Sequence, residues 1–470
     1  MSIARLHHFG FGSVSIAAVL GLSSYAFLAC SGDDTLAAPQ NDAGNFSDVQ
    51  VGTDATPPSD AGAPKDSGVV FTAPTNVVYV ETNDITPNAN AILAYSRNAD
   101  GSLSPLAGSP FATGGTGVGN PAQGLGPDDS DDELIANADH TLLFAVNAGS
   151  DTIAVFHIAS DGSLSAVSGS PFPSGGVDPV SVGVAGNFLY VVNQDGDPAK
   201  DAAASAPNYT AFSVGAGGAL TPVANSTVAA GASPSVALVS PDAKILFGSD
   251  FLAPLKSNPP APPLRAFAIG ADGTLTSAPN TPMAIPYVDG GAPPGTPVAL
   301  GLGVHPTQKI LYVDFTLRSQ VGVYTYDDTT GALTYVTAAS VTGPAPCWNR
   351  LNSAGTRMYV TTTGDNSLSV LDNSNPMAPL EIQHLQLADH GSLLSDSGPF
   401  TVSESFEEEL SADGKYLYVL SQRSTTDDTV TDGNVLHILT IGTDGKVTES
   451  IPDLKLSLPL GTRPQGIVAF

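Results

Sequence analysis

The chain of 470 residues has few charged side chains, and the positively charged ones are especially scarce. Charged residues make up 13% of it, with 16 Lys and Arg against 45 Asp and Glu, which gives a formal net charge of -29 at pH 7. A field of that sign repels phosphate backbones and anionic membrane surfaces. We therefore expect no nucleic-acid partner.

Cysteine and tryptophan are almost absent. Cys30 and Cys347 are too few for a disulfide framework, and Trp348 is the only tryptophan. No Gly-x-Ser-x-Gly elbow, Walker loop or dinucleotide fingerprint occurs. The histidines after the leader are scattered without metal-ligand spacing: His140, His157, His305, His384, His390 and His437. The sequence thus predicts neither a cofactor nor a metal site.

The one long apolar run, residues 14–28, is too short to be a comfortable transmembrane helix. It ends in Phe27-Leu28-Ala29-Cys30, which resembles a bacterial lipobox. We predict a signal peptide over residues 1–29 and lipidation of Cys30. The alternative is an ordinary secretory signal, with Cys30 buried or trimmed. Residues 30–73 are rich in Asp, Ala, Pro and Gly and predict a disordered tether. The expected location is the bacterial cell envelope, periplasmic or surface-exposed, with membrane contact through the lipid anchor only.

From residue 74 onward a short apolar triplet with a central aromatic residue recurs seven times. The central residues, 46 to 65 positions apart, are Tyr79, Phe144, Tyr190, Phe247, Tyr312, Tyr359 and Tyr418. A period of this length is typical of propeller blades with loop insertions. Asp-Gly pairs follow the next apolar run in four repeats and predict tight hairpin turns, because both residue types tolerate positive φ.

Two repeats are near copies of each other beyond that turn. Residues 100–115 and 161–176 share 11 of 16 positions, including a Gly-Ser-Pro-Phe tail. A fourth strand precedes most triplets, usually after a proline, but the first triplet has none. Residues 464–470 at the other end supply a strand of the missing type. We therefore predict an all-β fold over residues 74–470, a seven-bladed β-propeller that the C-terminal strand closes into a ring without open edges.

The Tyr-Val triplets, Asp-Gly-Ser-Leu turns and Gly-Ser-Pro-Phe tails resemble the seven-bladed β-propeller lactonase family, which includes 6-phosphogluconolactonase-type and carboxymuconate-cyclase-type proteins and YVTN-type repeats. The resemblance covers about residues 74–470. It implies hydrolysis or formation of a small sugar-acid or muconate-type lactone. Family enzymes often carry a Gly-Pro-Arg-His stretch at an inner strand. Here Gly343-Pro344-Ala345-Pro346-Cys347-Trp348 is the best match, with Cys and Trp in the places of Arg and His.

Counting back from each aromatic residue aligns the inner strands, and charged residues interrupt the pattern only in the last two repeats. Arg350 and Glu409 lie nine residues before Tyr359 and Tyr418. A carboxylate beside an arginine can supply acid/base chemistry and oxyanion stabilisation for lactone hydrolysis. We predict Arg350, Glu407 and Glu409 as catalytic and Trp348, Asn349 and Glu408 as ligand-binding. A structural ion pair is the competing interpretation for Arg350 and the glutamates.

The sequence allows two roles each for Trp348, Cys347 and the acidic residues 128–133. Trp348 can stack on a ligand or pack in the core, and Cys347 is expected to be a packed free thiol rather than a nucleophile. The acidic residues 128–133 predict a solvated loop, with weak calcium binding as the minor alternative.

The competing function is a monomeric, non-catalytic surface propeller that binds an envelope protein or a glycan rather than a small lactone.

Overall fold

The structure is a computed structural model that describes residues 72–119, 129–200, 206–286, 298–388, 392–395, 398–401, 403–424 and 433–470. The predicted leader, Cys30 and all but the last two residues of the predicted tether lie outside these ranges. Within them no helix is long and apolar enough to cross a bilayer. The helical segments are α1 (Ala253–Lys256) and three 3-10 turns, Ala148–Ser150, Thr316–Arg318 and Thr363–Asp365.

Antiparallel strands form seven separate sheets, the blades of the predicted propeller. Blade 1 contains β1 (Val77–Glu81), β2 (Ala91–Arg97), β3 (Leu103–Pro105) and β4 (Phe111–Ala112). Blade 2 contains β5 (Leu134–Ala136), β6 (Leu142–Asn147), β7 (Thr152–Ile158), β8 (Leu164–Ala166) and β9 (Phe172–Pro173). Blade 3 contains β10 (Pro179–Ala185), β11 (Phe188–Asn193), β12 (Asn208–Val214), β13 (Leu220–Pro222) and β14 (Val228–Ala229).

The remaining blades repeat the plan. Blade 4 contains β15 (Leu238–Val239), β16 (Ile245–Ser249), β17 (Leu264–Ile269) and β18 (Leu275–Ser277). Blade 5 contains β19 (Leu302–Val304), β20 (Ile310–Phe315), β21 (Gln320–Tyr326) and β22 (Leu333–Ser340). Blade 6 contains β23 (Pro346–Leu351), β24 (Arg357–Thr362), β25 (Ser367–Asp372) and β26 (Leu380–Gln386). A hairpin of β27 (Ser392–Ser395) and β28 (Gly398–Thr401) precedes blade 7, which contains β29 (Ser403–Leu410), β30 (Tyr416–Arg423), β31 (Val435–Ile441), β32 (Val447–Thr448) and β33 (Leu454–Lys455).

The last strand, β34 (Gln465–Ala469), completes blade 1 and confirms the predicted closure. It pairs antiparallel with β1, and Val468 lies opposite Tyr79. Gly466 has φ +80°, and a Cβ built on it would lie 2.7 Å from the Cβ of Leu134 in blade 2. Only glycine combines that backbone angle with so close an approach. The sequence of β34 is therefore fitted to the place where the two ends of the ring meet.

The triplets form the second strand of each blade, and their side chains alternate between the two neighbouring blades. In β6, Leu143 and Ala145 pack in an apolar cluster with blade 1. Phe144 and Val146 of the same strand pack in a cluster with blade 3. Each triplet is buried on both faces, which explains why it reads as a continuous apolar run rather than as an alternating strand.

The triplet tyrosines and the Asp-Gly turns form hydrogen bonds with each other across blade boundaries. The hydroxyl groups of three triplet tyrosines donate hydrogen bonds to the Asp-Gly turn of the next blade: Tyr79 to the Gly162 carbonyl at 2.6 Å, Tyr190 to Gly273 at 3.1 Å and Tyr359 to Gly445 at 3.1 Å. The turn glycines have φ between +81° and +84°. Phenylalanine occupies the triplet in blades 2 and 4, and the blades that follow them, 3 and 5, lack an Asp-Gly pair in the corresponding turn, between β12 and β13 and between β21 and β22.

The closure predicts a large effect of the final residue on stability. Phe470 is 3% exposed, with its ring 5.8 Å from that of Tyr79 and 4.0 Å from that of His140. We expect Phe470→Ala to lower the free energy of unfolding by about 3 kcal/mol, because it removes a buried aromatic ring at the closing strand. Leu460→Ala, at a side chain 50% exposed, is the matched control and should change it by less than about 0.5 kcal/mol. Equal effects of the two variants in urea unfolding would contradict this.

Candidate functional site

The candidate residues lie where the first strands of the seven blades surround the axis of the ring. These inner strands are β34, β5, β10, β15, β19, β23 and β29 in order of blade. The predicted residues Trp348, Asn349 and Arg350 lie on β23, and Glu407, Glu408 and Glu409 lie on β29. Because blades 6 and 7 are neighbours, the two sets face one another across a blade boundary.

The acidic segment before β5 crosses this axis. The Trp348 indole N–H of blade 6 donates to the Ser130 carbonyl at 2.7 Å, and the Asp131 N–H donates to the Ser235 carbonyl, just before β15 of blade 4, at 3.0 Å. Neither blade is a neighbour of blade 2, to which the segment is connected. A segment that contacts both must therefore lie in the central channel. We name residues 129–133 the axial segment.

The expectation of a solvated acidic loop is wrong for the part of it that the structure describes. Asp129 is 2% exposed, and Ser130, Asp131 and Glu133 are 0% exposed. Residue 128 lies outside the described ranges. Burial of this many carboxyl groups requires protonation or charged partners, and the channel supplies both.

Arg350 is the charged partner. Its Nη2 lies 3.0 Å from Asp131 Oδ1 and 2.7 Å from Asp132 Oδ1, while its Nη1 lies 3.3 Å from Asp131 Oδ2. Its Nε lies 3.5 Å from Glu409 Oε2, within ion-pair distance, as the equal register of the two residues predicted. The planar guanidinium thus joins the axial segment to blades 6 and 7 by a bidentate contact that lysine cannot make.

The same contacts occupy the donors of the guanidinium. Two N–H groups face Asp131 and one faces Asp132, the fourth donates to the Asn349 carbonyl at 3.4 Å, and Nε–H faces Glu409. A substrate oxyanion would have to displace one of these partners. The Glu409 contact is the longest of the ion pairs, so it is the easiest to open.

A second acidic contact lies deeper, between the axial segment and blade 7. The side chains of Glu133 and Glu407 are hydrogen-bonded to each other, which requires a proton between them, and Glu133 Oε1 also accepts from Ser130 Oγ at 2.6 Å and Gln465 Nε2 at 3.1 Å. Burial, and then the charge of Glu133, raise the pKa of Glu407 well above its usual range. Burial raises the pKa of Glu133 as well, so the two carboxyl groups hold one proton between them.

Glu408 points to the other face of β29, as strand alternation requires. It is 0% exposed, and burial raises its pKa well above the ordinary range although Arg350 offsets part of the effect. Asn349 is equally buried and donates from Nδ2 to Asp314 Oδ2 of blade 5 at 2.8 Å. Burial raises the pKa of Asp314 to about 8. Glu408, Asn349 and Asp314 thus lie buried in the channel wall, where a ligand cannot reach their side chains.

Trp348 and Cys347 are packed in the same wall. The Trp348 ring is 0% exposed and lies 3.9 Å from the Phe406 ring, in a cluster that also contains Phe251 and Leu300. Its burial gives it a packing role in this structure. Cys347 is a buried free thiol, and burial raises its pKa well above the ordinary range, as expected for a packed rather than a nucleophilic cysteine.

Solvent reaches only one edge of the cluster, at Arg350, Asp132 and Glu409, whose side chains are 16%, 14% and 28% exposed. Burial raises the pKa of Asp132 to about 8, against the opposing charge of Arg350. Burial raises the pKa of Glu409 as well, and Arg350 again opposes the shift. We name these three residues the exposed edge. It holds a carboxyl group that is protonated at neutral pH beside a cation, which is the arrangement expected of an acid/base site.

Two cavities among the described residues lie away from this cluster. One of about 270 Å³ lies at the rim of blades 4 and 5 and is lined by Asp242, His305, Lys309 and Tyr326, among others. Another of about 230 Å³ is lined by Asp250, Lys256 and Arg265, among others, in and before blade 4. Neither contains a predicted site residue.

Sequence reasoning missed the contribution of the axial segment. Glu133 lies eleven residues before Phe144, the same distance that separates Glu407 from Tyr418. The register count that placed Arg350 beside Glu409, extended from nine residues to eleven, would have placed these two glutamates at the same height. Asp131 and Asp132 precede the strand, where no register applies, and their position could not be predicted this way.

Comparisons with known proteins support the fold. No family model and no curated protein matches the chain. Solved structures do match it: a candidate 6-phosphogluconolactonase from Bacteroides uniformis at 16% identity and TM-score 0.58, covering 83% of this chain and 99% of that one, and a periplasmic gluconolactonase from Pseudomonas aeruginosa with the same four values. A candidate 6-phosphogluconolactonase from Bacteroides fragilis matches at 16% identity and TM-score 0.56, covering 85% and 98%.

At this identity the likeness concerns the fold and not the chemistry. The chain is a seven-bladed β-propeller like these lactonase-type proteins, as its repeats predicted, and the ring is closed by its C-terminal strand.

We name the axial segment together with Arg350, Glu407 and Glu409 the axial cluster, and removal of Arg350 tests how much this cluster contributes to stability. We expect Arg350→Ala to lower the free energy of unfolding by about 3 kcal/mol or more, because it leaves Asp131 buried without its cation. Arg357→Ala is the matched control: its ion pair with Asp372 is more exposed, and about 1 kcal/mol or less should be lost. Similar losses in chemical denaturation of both variants would contradict a central role for Arg350.

The raised pKa of Asp314 predicts a pH effect with a definite sign. The folded chain keeps this proton up to about pH 8, whereas the unfolded chain loses it near pH 4. The contribution of protonated Asp314 to the free energy of unfolding is therefore fully present below about pH 4. It decreases by about 1.4 kcal/mol per pH unit as the pH rises to about 8. Asp314→Asn cannot ionise and should remove that slope.

The comparison needs unfolding free energies of both proteins from pH 4 to pH 8. Asp314→Asn should gain stability relative to the unsubstituted protein as the pH rises. Asp272→Asn, in a turn where hydrogen bonds lower the aspartate pKa, should keep the original slope. Parallel curves for Asp314→Asn and the unsubstituted protein would show that Asp314 is ionised in the fold.

Proposed function

We propose that the protein is a lactone hydrolase of the bacterial cell envelope, held there by a lipid on Cys30 and acting as a monomer without a cofactor. The exposed edge carries the proposal. It is the part of the axial cluster that solvent reaches, and it combines a cation, a carboxyl group protonated at neutral pH and a second carboxyl group. The resemblance of the repeats to the propeller lactonase family favours a lactone as the substrate, and the solved lactonase-type structures share the fold.

The proposed reaction assigns one role to each of the three side chains. Glu409, as carboxylate, removes a proton from water, and the resulting hydroxide attacks the lactone carbonyl. Arg350 stabilises the developing oxyanion through Nε–H, once Glu409 has turned from it to the water. Asp132, which holds a proton at neutral pH, transfers it to the ring oxygen as the C–O bond breaks.

The remaining predicted residues act at a distance in this proposal. Glu407 is 1% exposed, and Glu408, Asn349 and Trp348 are 0% exposed, so none of them touches a substrate in this geometry. Glu407 instead fixes the axial segment through Glu133. The substrate we propose is an uncharged sugar-acid or muconate-type lactone without a phosphate, because a chain of net charge -29 repels a phosphorylated one.

A second function has its own support, namely a non-catalytic envelope propeller that binds a protein or a glycan. The axial segment fills the channel, and every donor of Arg350 already has a partner within the chain. Both facts suit a purely structural cluster. In that case recognition falls to the loops around the ring.

Hydrolysis of D-glucono-1,5-lactone by the full chain, measured against its spontaneous rate, separates the two functions. The lactonase proposal predicts that Glu409→Gln lowers kcat by about 100-fold, because the general base is lost. The same variant should keep the melting temperature. Glu381→Gln on the outer strand β26 is the matched control and should keep full activity. Absence of turnover above the spontaneous rate, or full activity of Glu409→Gln, would favour the binding propeller.

A further inference from the structure

A cluster of three potential metal ligands lies in the outer part of blade 7, away from the axis. His437 is in the middle of β31, Glu449 follows β32 and Asp453 precedes β33. One ligand atom of each residue lies within 4.8 Å of the others. His437 is 0% exposed and the two acidic residues are half-buried, so the cluster has a buried nitrogen and an approach from solvent along its carboxylates.

The histidine is oriented as a ligand through Nδ1. Its Nε2 lies 3.0 Å from Ser421 Oγ, and that hydroxyl donates to Asn366 Oδ1 at 3.3 Å. The Ser421 oxygen is then the acceptor of an Nε2–H bond, which leaves Nδ1 for the contact with Glu449. Nδ1 lies 2.6 Å from Glu449 Oε1, a separation that needs a proton between the two atoms; a metal ion bound at Nδ1 would take the place of that proton. Metal-binding histidines typically have their second ring nitrogen fixed by such a hydrogen bond.

Glu449 is oriented in the same way. Its Oε2 accepts the Ala388 N–H at 2.8 Å, from the segment that follows β26 of blade 6, and this turns Oε1 toward His437. Each of these two side chains is thus held by one atom and presents the other to a common point. Asp453 completes the group with a second carboxylate.

We propose that His437, Glu449 and Asp453 bind a divalent transition-metal ion of the Zn²⁺ type. One imidazole nitrogen and two carboxylates are a ligand set that Zn²⁺ accepts, and three protein ligands leave its fourth position to water. Ca²⁺ instead takes six to eight oxygen ligands. The bound ion would neutralise two carboxylates in a strongly acidic protein and connect the outer strands of blade 7.

No motif in the sequence indicates this site. The residues are separated by twelve and four positions, which matches no zinc-ligand spacing, and a search by histidine pairs overlooks a group with one histidine. The antiparallel pairing of β31 with the two short strands β32 and β33 brings them together.

The test is a Zn²⁺ titration of the metal-stripped full chain against a chromophoric chelator, with the melting temperature as a second readout. The expected result is one equivalent of Zn²⁺ per chain and a rise in melting temperature, with no rise from equal concentrations of Mg²⁺ or Ca²⁺. His437→Gln should weaken Zn²⁺ binding by about 100-fold, and Glu449→Gln and Asp453→Asn by about tenfold or more each.

His384→Gln is the matched control. His384 lies 3.8 Å from Asp365 in blade 6, without a third ligand in the group that the described residues show, and the variant should bind Zn²⁺ normally. Since His437 is buried and its variant can fail to fold, the two carboxylate variants decide the outcome. Normal Zn²⁺ binding by both, or no binding by the unsubstituted protein, would overturn the proposal and leave a buried histidine–glutamate ion pair.

Discussion

The pairing of β34 with β1 is the constraint on which the rest of the structure depends. It unites residues from the two ends of the propeller in one sheet and leaves no blade with a missing inner strand. Each blade can then bury both faces of its triplet strand against its neighbours. Closure also creates an axis surrounded by seven inner strands, and the space along that axis has to be filled.

This chain fills it with acidic groups rather than with apolar ones. The axial segment brings Asp131 and Glu133 into the channel, where Arg350 neutralises the first and a proton shared with Glu407 neutralises the second. Such a cluster costs hydration energy, so it is weak evidence for stability on its own. The cluster instead fixes the positions of blades 2, 6 and 7 relative to one another, because its charged groups find their partners only when all three blades are in place.

Most of the fold could be predicted from the sequence, because its signals are periodic. The triplets, the Asp-Gly turns and the surplus strand at the end each mark one element of a blade, and the structure adds that triplet tyrosines and turn glycines are bonded across blade boundaries. The ion pair between Arg350 and Glu409 followed from register alone.

The remainder of the site could not be predicted, because it depends on a segment with no period. An acidic run outside a strand normally lies in solvent, and the sequence at residues 129–132 contains nothing that distinguishes a loop from a channel filling. The contacts of Trp348 show the same limit. Its place on β23 was predictable, but the Ser130 carbonyl that its indole N–H binds comes from a blade 218 residues earlier in the chain.

The axial segment is enclosed inside the ring. Hydrogen exchange of the Asp131 amide tests this most directly, because that N–H is buried and bonded to Ser235 across the channel. We expect protection close to that of the triplet strands, with exchange only when the ring opens as a whole. Exchange at the rate of an exposed loop would contradict this and would show that the segment lies in solvent.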